Sequence, residues 1–229
     1  MGRYLVVTCK SWNIENYDKL VKRFPDETFD LITEKGELTY ERVAEFKPDY
    51  VFFPHWSWII PKCLYDNFEC IVFHMTDLPF GRGGSPLQNL IVRGIYDTKI
   101  SALKVNEGID CGDIFFKESV NISEGNVDAI LRNVSDIVFE KMIPKFITEE
   151  VTAMPQEGEI VEFKRRTPAE SEIPEGLNGR KLYDFIRMLD GEGYPNAYVF
   201  FGENKISFKN ATLDDDIVKA EVEITRIEK

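Results

Sequence analysis

Apolar positions in the first half of the chain come in short runs separated by polar, helix-length stretches. Arg3 to Thr8 (RYLVVT) has the length and composition of a buried strand, and a polar helix is expected from about Ile14 to Phe24, ended by Pro25. Thr28 to Thr33, a helix from Tyr40 to Phe46, and the strand Tyr50-Val51-Phe52-Phe53 repeat the alternation. Strand, helix, strand, helix, strand predicts a mostly parallel α/β sheet of Rossmann-like type. A further strand covers Glu69 to Phe73. The next helix reads as opened by Ser85 as N-cap, Pro86 at its first position and Gln88 completing a capping box, with Leu87, Leu90 and Ile91 as its buried stripe and Gly94 as its end.

The pattern then changes. Lys99 to Val105 and Ile114 to Ile122 read as two strands joined by a loop, residues 106–113, that carries two glycines and three carboxylates. A long amphipathic helix is expected from Val127 to about Ile143, just before Pro144, with Val127, Ile130, Leu131, Val134, Ile137, Val138 and Met142 on one face. Beyond Thr148 the chain is loop-rich and charged. A helix near Arg180 to Leu189 and strand-like runs at Ala197 to Phe201, Lys205 to Phe208 and Ile217 to Ile224 form a small C-terminal α+β appendage. The expected domains are therefore residues 1–160 and 161–229.

Composition narrows the function. The 229 residues hold 28 Lys+Arg against 40 Asp+Glu, a net charge of −12, which argues against nucleic acid as the main partner. His55 and His74 lie apart and no Cys-x-x-Cys occurs, so a zinc site is not expected. The four cysteines sit in apolar or mixed runs and the chain opens MGRYLVV, which reads as a cytoplasmic protein with reduced thiols. No apolar run approaches the roughly 18–20 residues of a membrane span.

His74 stands where the strand ECIVF leaves the sheet, at the carboxyl end where open parallel sheets bind ligands. The stretch Phe80-Gly81-Arg82-Gly83-Gly84-Ser85-Pro86 reads as a tight turn or a weak anion cradle, and it is neither a Walker loop nor a dinucleotide fingerprint. Asp110 and Asp113 read as turn formers or a cation site, and Cys111 between carboxylates is a poor nucleophile.

Taken together, His74, Leu78-Pro79, Arg82-Gly83-x-x-Pro86 and Gly108-Ile109-Asp110-Cys111-Gly112-Asp113 resemble the 10-formyltetrahydrofolate-dependent formyltransferases. That family's pattern is Asn-x-His-x-Ser-Leu-Leu-Pro, Arg-Gly-x-x-Pro, then Gly-Leu-Asp-Thr-Gly-Asp. The likeness extends from about residue 50 to 200 and looks nearest to the short sugar N-formyltransferases of pseudaminic acid type pathways. It implies 10-formyltetrahydrofolate as co-substrate, no metal and a nucleotide-linked amino sugar as acceptor; a homodimer is the oligomer considered, with no membrane partner. The rival within the family is methionyl-tRNA formylation; the rival from another class is a non-catalytic folate- or nucleotide-binding relative.

The resemblance also assigns roles. His74 would take the proton from the attacking amine, and Asp110 would hold the imidazole in one tautomer and stabilise its charged form. Trp58, Ile59, Val105, Asn106, Glu107 and Asp110 would border the folate, and Arg82, Gly83, Tyr183 and Arg187 the substrate. The family's asparagine is replaced by Val72, so His55 or Asn13 would have to donate to the developing oxyanion.

Overall fold

The computed structural model describes residues 1–227. Its strands are β1 (Arg3–Val7), β2 (Thr28–Ile32), β3 (Tyr50–Phe53), β4 (Cys70–His74), β5 (Phe80–Gly83), β6 (Asp97–Lys104), β7 (Ile114–Asn121), β8 (Val161–Phe163), β9 (Tyr198–Phe201), β10 (Asn204–Asp214) and β11 (Ile217–Arg226). Its α-helices are α1 (Ser11–Arg23), α2 (Tyr40–Phe46), α3 (Lys62–Tyr65), α4 (Pro86–Val92), α5 (Val127–Ile137), α6 (Ile143–Thr148) and α7 (Gly179–Arg187).

The main sheet has the order β2-β1-β3-β4-β6-β7. β1 runs parallel to both β2 and β3, and β3 parallel to β4, whereas β6 returns antiparallel to β4 with His74 opposite Ser101. The expected Rossmann-like, mostly parallel sheet is therefore present. Leu5, Val7, Ile32, Val51, Phe53, Leu64 and Cys70 form one apolar cluster, and the half-buried Val72, Trp56 and Val105 pack against it. On β3 the alternate residue Phe52 meets Phe146 of α6 with ring centroids 5.3 Å apart, and Phe115 and Phe116 of β7 meet the same ring at 5.0 Å. Burying a ring of this kind stabilises by about 1.5–3 kcal/mol each, which anchors the strands whose ends carry the site.

The chain divides into two compact units, neither continuous in sequence. The first comprises Met1–Arg82, Lys99–Val120 and Arg132–Glu162; the second comprises Gly83–Thr98, Asn121–Leu131 and the chain from Phe163 onward. The boundary expected at 160/161 lies beside the last of these crossings. The two earlier excursions are invisible to a boundary read along the chain, because a unit is defined by packing and not by sequence order.

Three local expectations are corrected. The long helix does not stop before Pro144: a wide π turn, Val138–Met142, separates α5 from α6, and α6 runs through Pro144. The wider turn accommodates a residue that lacks an N–H and would clash with the carbonyl one turn earlier. Second, Ser85 stands at the N-cap position with Pro86 after it, as expected, but its side chain does not cap the helix. Ser85 sits in the left-handed region (φ 51°), its Oγ accepts from the Arg166 N–H at 3.1 Å, and Gln88 donates to the Met188 carbonyl at 3.1 Å instead of closing a capping box. Third, the glycine-rich stretch begins as strand β5, paired with β8. A Cβ on Gly83 would come 2.5 Å from the Phe163 carbonyl oxygen, and one on Gly84 would come 2.6 Å from Arg165, so these glycines admit a neighbouring backbone and do not cradle an anion.

Candidate active site

The site grows from the carboxyl end of β4. The neighbouring β6 holds the exit of that strand: the buried Ser101 donates to the Thr76 carbonyl at 2.7 Å and accepts from the Leu78 N–H at 3.4 Å. Asp77 bridges Lys99 (3.0 Å) and Lys117 (2.5 Å). Burial pushes its carboxyl up, but the two ammonium groups outweigh this and hold it below the ordinary carboxylate value. The turn is thus tied on both sides, and His74 is left only 9% exposed.

Both nitrogens of His74 are engaged. Nε2 lies 2.8 Å from the Gly81 carbonyl oxygen, and Nδ1 lies 3.5 Å from Oδ2 of Asp110. Both the Gly81 carbonyl and the Asp110 carboxylate only accept, so the neutral ring donates to one of them and the charged ring can donate to both. The pairing of His74 with Asp110 expected from the resemblance is realised.

Asp110 reaches the imidazole because its loop is sharply folded. Asp110 is itself left-handed, with φ 53°. A Cβ on Gly112 would stand 1.8 Å from the Lys104 carbonyl oxygen, so only glycine lets the loop close as tightly as the 2.9 Å bond from the Lys104 N–H to the Asp113 carbonyl requires. Asn106 is spent within the loop, where its Oδ1 accepts from the Gly108 N–H at 3.2 Å and the Cys111 thiol at 3.4 Å. Val105 donates its N–H to the Cys70 carbonyl at 2.8 Å, and Glu107 is exposed.

Sequence reasoning missed Gln156. Its Nε2 donates to the Asp110 and Gly112 carbonyls, both at 2.8 Å, and its Oε1 accepts from Arg82 Nε (3.1 Å) and Nη2 (2.8 Å). Nothing in the charged stretch around Pro155 marks that position; only tertiary pairing brings it to the loop. Arg82, expected on the substrate, spends its guanidinium on Gln156.

The other expected residues have the following surroundings. Trp58 and Ile59 lie exposed on the turn after β3, and the Trp58 ring meets Trp56 edge-on at 4.6 Å. The Trp56 indole N–H is buried without a hydrogen-bond partner among the described residues. Val72 faces the apolar cluster. Of the two candidates to replace its missing amide, Asn13 is 1% exposed and donates to Thr8 Oγ1 (2.7 Å) and the Pro54 carbonyl (3.1 Å). The ring of His55 packs edge-on against Trp12. Tyr183 and Arg187 belong to the second unit, where Arg187 is 1% exposed, bonds Asp184 at 2.6 Å and donates to the Gly125 carbonyl at 3.0 Å. A guanidinium so enclosed has no face for a substrate phosphate, which corrects the expectation for Arg187; Tyr183 beside it is likewise buried.

Burial, with Lys10 nearby, lowers the His55 pKa from 6.5 to about 4. Its neutral form stabilises the fold fully above pH 6.5, and that contribution is lost as pH falls from 6.5 through 4, up to about 3 kcal/mol. We expect the difference in urea-unfolding free energy between the parent protein and His55→Asn to shrink by most of that amount between pH 7 and pH 4.5; a difference that does not change with pH would contradict the burial of a neutral ring.

Residues 16–147 match the family model described as formyl transferase, more than half of the chain. The chain belongs to the formyl transferase family. Residues 168–225 match a second model, methionyl-tRNA formyltransferase, C-terminal domain. A solved methionyl-tRNA formyltransferase from Clostridium thermocellum is 49% identical, covers 99% of this chain and 100% of its own, and superposes with a TM-score of 0.95. A methionyl-tRNA formyltransferase of a Geobacillus species is 31% identical over 180 residues, 76% of this chain and 55% of that protein. The chain spans about half the length of the curated relatives it matches. A 4-N formyltransferase from Francisella tularensis covers 100% of this chain and 98% of its own at 18% identity and a TM-score of 0.69, a likeness of fold alone.

These findings show membership of the formyl transferase family and overturn the finer reading. The amino-sugar acceptor and the exclusion of nucleic acid do not hold, because the sequence relatives and the second family model are those of methionyl-tRNA formyltransferases. The charge argument failed because a net −12 is a sum over the whole surface, while a nucleic acid contacts only one part of it. No described helix is long and apolar enough to cross a membrane.

Proposed function

We propose that this formyl transferase acts on the amino group of a methionyl-tRNA, with 10-formyltetrahydrofolate as formyl donor. The observation that carries the reading is the likeness over 99% of this chain, at 49% identity, to a solved methionyl-tRNA formyltransferase, joined to a His74–Asp110 pair at the sheet's carboxyl end. Exposed Trp58 and Ile59, with the Trp56 indole N–H unpartnered among the described residues, suit a flat heterocycle that carries hydrogen-bond acceptors. When bound, the folate supplies the electrophilic formyl carbon.

The chain's own part is to manage the amine's proton. The neutral ring donates from one nitrogen and offers the lone pair of the other. A proton taken there leaves an imidazolium that can donate to both the Gly81 carbonyl and the Asp110 carboxylate. Val72 contributes no donor, and Val72→Asn would bury an amide against the apolar cluster at a cost of ~1–3 kcal/mol.

A local basic strip supports the nucleic-acid reading. Lys164 and Arg165 are exposed, Arg166 is half-buried, and the exposed Arg93 stacks its guanidinium 4.6 Å from the Phe163 ring centre. The test is formyl transfer to methionyl-tRNA, followed alongside tRNA binding from 50 to 200 mM salt. We expect formyl-methionyl-tRNA to form and tRNA affinity to fall by about tenfold or more, since each phosphate contact adds ~0.7–0.9 to the salt slope. Lys164→Ala with Arg165→Ala should weaken binding and flatten that slope. No transfer to methionyl-tRNA would overturn the proposal.

A further inference from the structure

The geometry points to Gln156 as the positioning residue of the catalytic pair, a clamp that holds Asp110 against His74. This inference rests on the proposed formyl transfer for its kinetic reading but not for its structural one.

The clamp is built step by step from the backbone. The loop after α6 is pinned to the start of β7 by an isolated antiparallel bridge: the Ile114 N–H donates to the Met154 carbonyl at 2.8 Å, and the Met154 N–H to the Ile114 carbonyl at 2.9 Å. Two residues on, Gln156 lies beside the 110–112 loop. Its two amide hydrogens satisfy the Asp110 and Gly112 carbonyls, which flank Cys111, so one side chain spans the part of the loop where Asp110 is left-handed. Its oxygen is held in turn by two nitrogens of Arg82. That fork fixes which end of the amide faces the loop, because the guanidinium only donates and the two carbonyls only accept.

A left-handed conformation costs a non-glycine residue roughly 1–2 kcal/mol, so the loop needs outside bonds to stay in it. The Asp110 carboxylate stands 3.5 Å from Nδ1, at the edge of useful contact, and a shift of about 1 Å would release the imidazole. Gln156 thus acts on the reaction through Asp110 and touches no reacting atom.

The test uses Gln156→Glu and Gln156→Ala in the whole chain, with two readouts. The protein holds only two histidines, so ¹⁵N-histidine NMR resolves His74 from His55 without turnover. Glutamate keeps the size and the Arg82 contact but sets a carboxylate against two carbonyls. With folding retained, both variants should shift the His74 ring nitrogens while leaving His55 unmoved. They should lower kcat by ~10–100-fold with the KM for folate within about threefold, and Asp110→Asn should add little to either. Gln156→Asn, too short to span both carbonyls, should not restore kcat. Unmoved His74 signals in Gln156→Glu, or losses that multiply fully with Asp110→Asn, would overturn the clamp. If the parent protein itself formylates no methionyl-tRNA, the functional reading fails, and the NMR comparison still decides the role of Gln156.

Discussion

Replacing His74 by Asn is expected to lower formyl transfer by ~10²–10⁴-fold while leaving the fold in place. The ring lies at the end of β4, where its contacts are the Gly81 carbonyl and Asp110 and its strand is already held by β3 and β6. An asparagine keeps polar contact with Gly81 but has no nitrogen that takes up a proton. Asp110→Asn should fall in the same range, because a neutral amide leaves the charged imidazole without its counter-charge. The measurement is kcat/KM under single-turnover conditions at matched folded fraction. Turnover within threefold of the parent protein in His74→Asn would remove this ring from the reaction.

The second large effect is expected at Gly112. Its substitution by alanine sets a Cβ 1.8 Å from a backbone carbonyl oxygen, that of Lys104, which cannot rotate away as a side chain would. Either β6 and the loop separate, losing the bond from Lys104 to Asp113, or the loop opens and carries Asp110 off the imidazole. The first route costs about 3 kcal/mol or more in urea unfolding, and the second costs activity on the scale of Asp110→Asn. Gly94→Ala is the matched control: Gly94 has φ 69° but open space around it, so the change should cost only about 1–2 kcal/mol and leave turnover alone. Equal stability and equal activity in Gly112→Ala would mean that the loop is far more plastic than its contacts imply.

Much of this was legible in the chain because it depends on local order. Apolar runs of strand length at Arg3–Val7, Tyr50–Phe53 and Cys70–His74, separated by helical stretches, specify a parallel sheet without reference to anything distant. The pairing of His74 with Asp110 could be read from the spacing of motifs that resemble a family. The acceptor could not: net charge sums over the whole surface, so it misjudged nucleic acid as a partner and favoured a sugar.

Tertiary structure decided what local pattern leaves open. A serine before a proline looks like an N-cap until the Arg166 N–H claims its hydroxyl, and a glycine run looks like a turn until β8 is seen beside it. Arg187 looks like a free cation until Asp184 and the Gly125 carbonyl enclose it. Gln156 has no sequence signal at all, since its role comes from a bridge at Met154 that sets it against a loop 46 residues earlier. The chain by itself determined most of its secondary elements and its sheet, because these follow from neighbours in sequence, and the family resemblance pointed to the His74–Asp110 contact. Which groups hold that pair in place was decided only in three dimensions, because a hydrogen bond is satisfied by whatever partner folding brings within 3 Å.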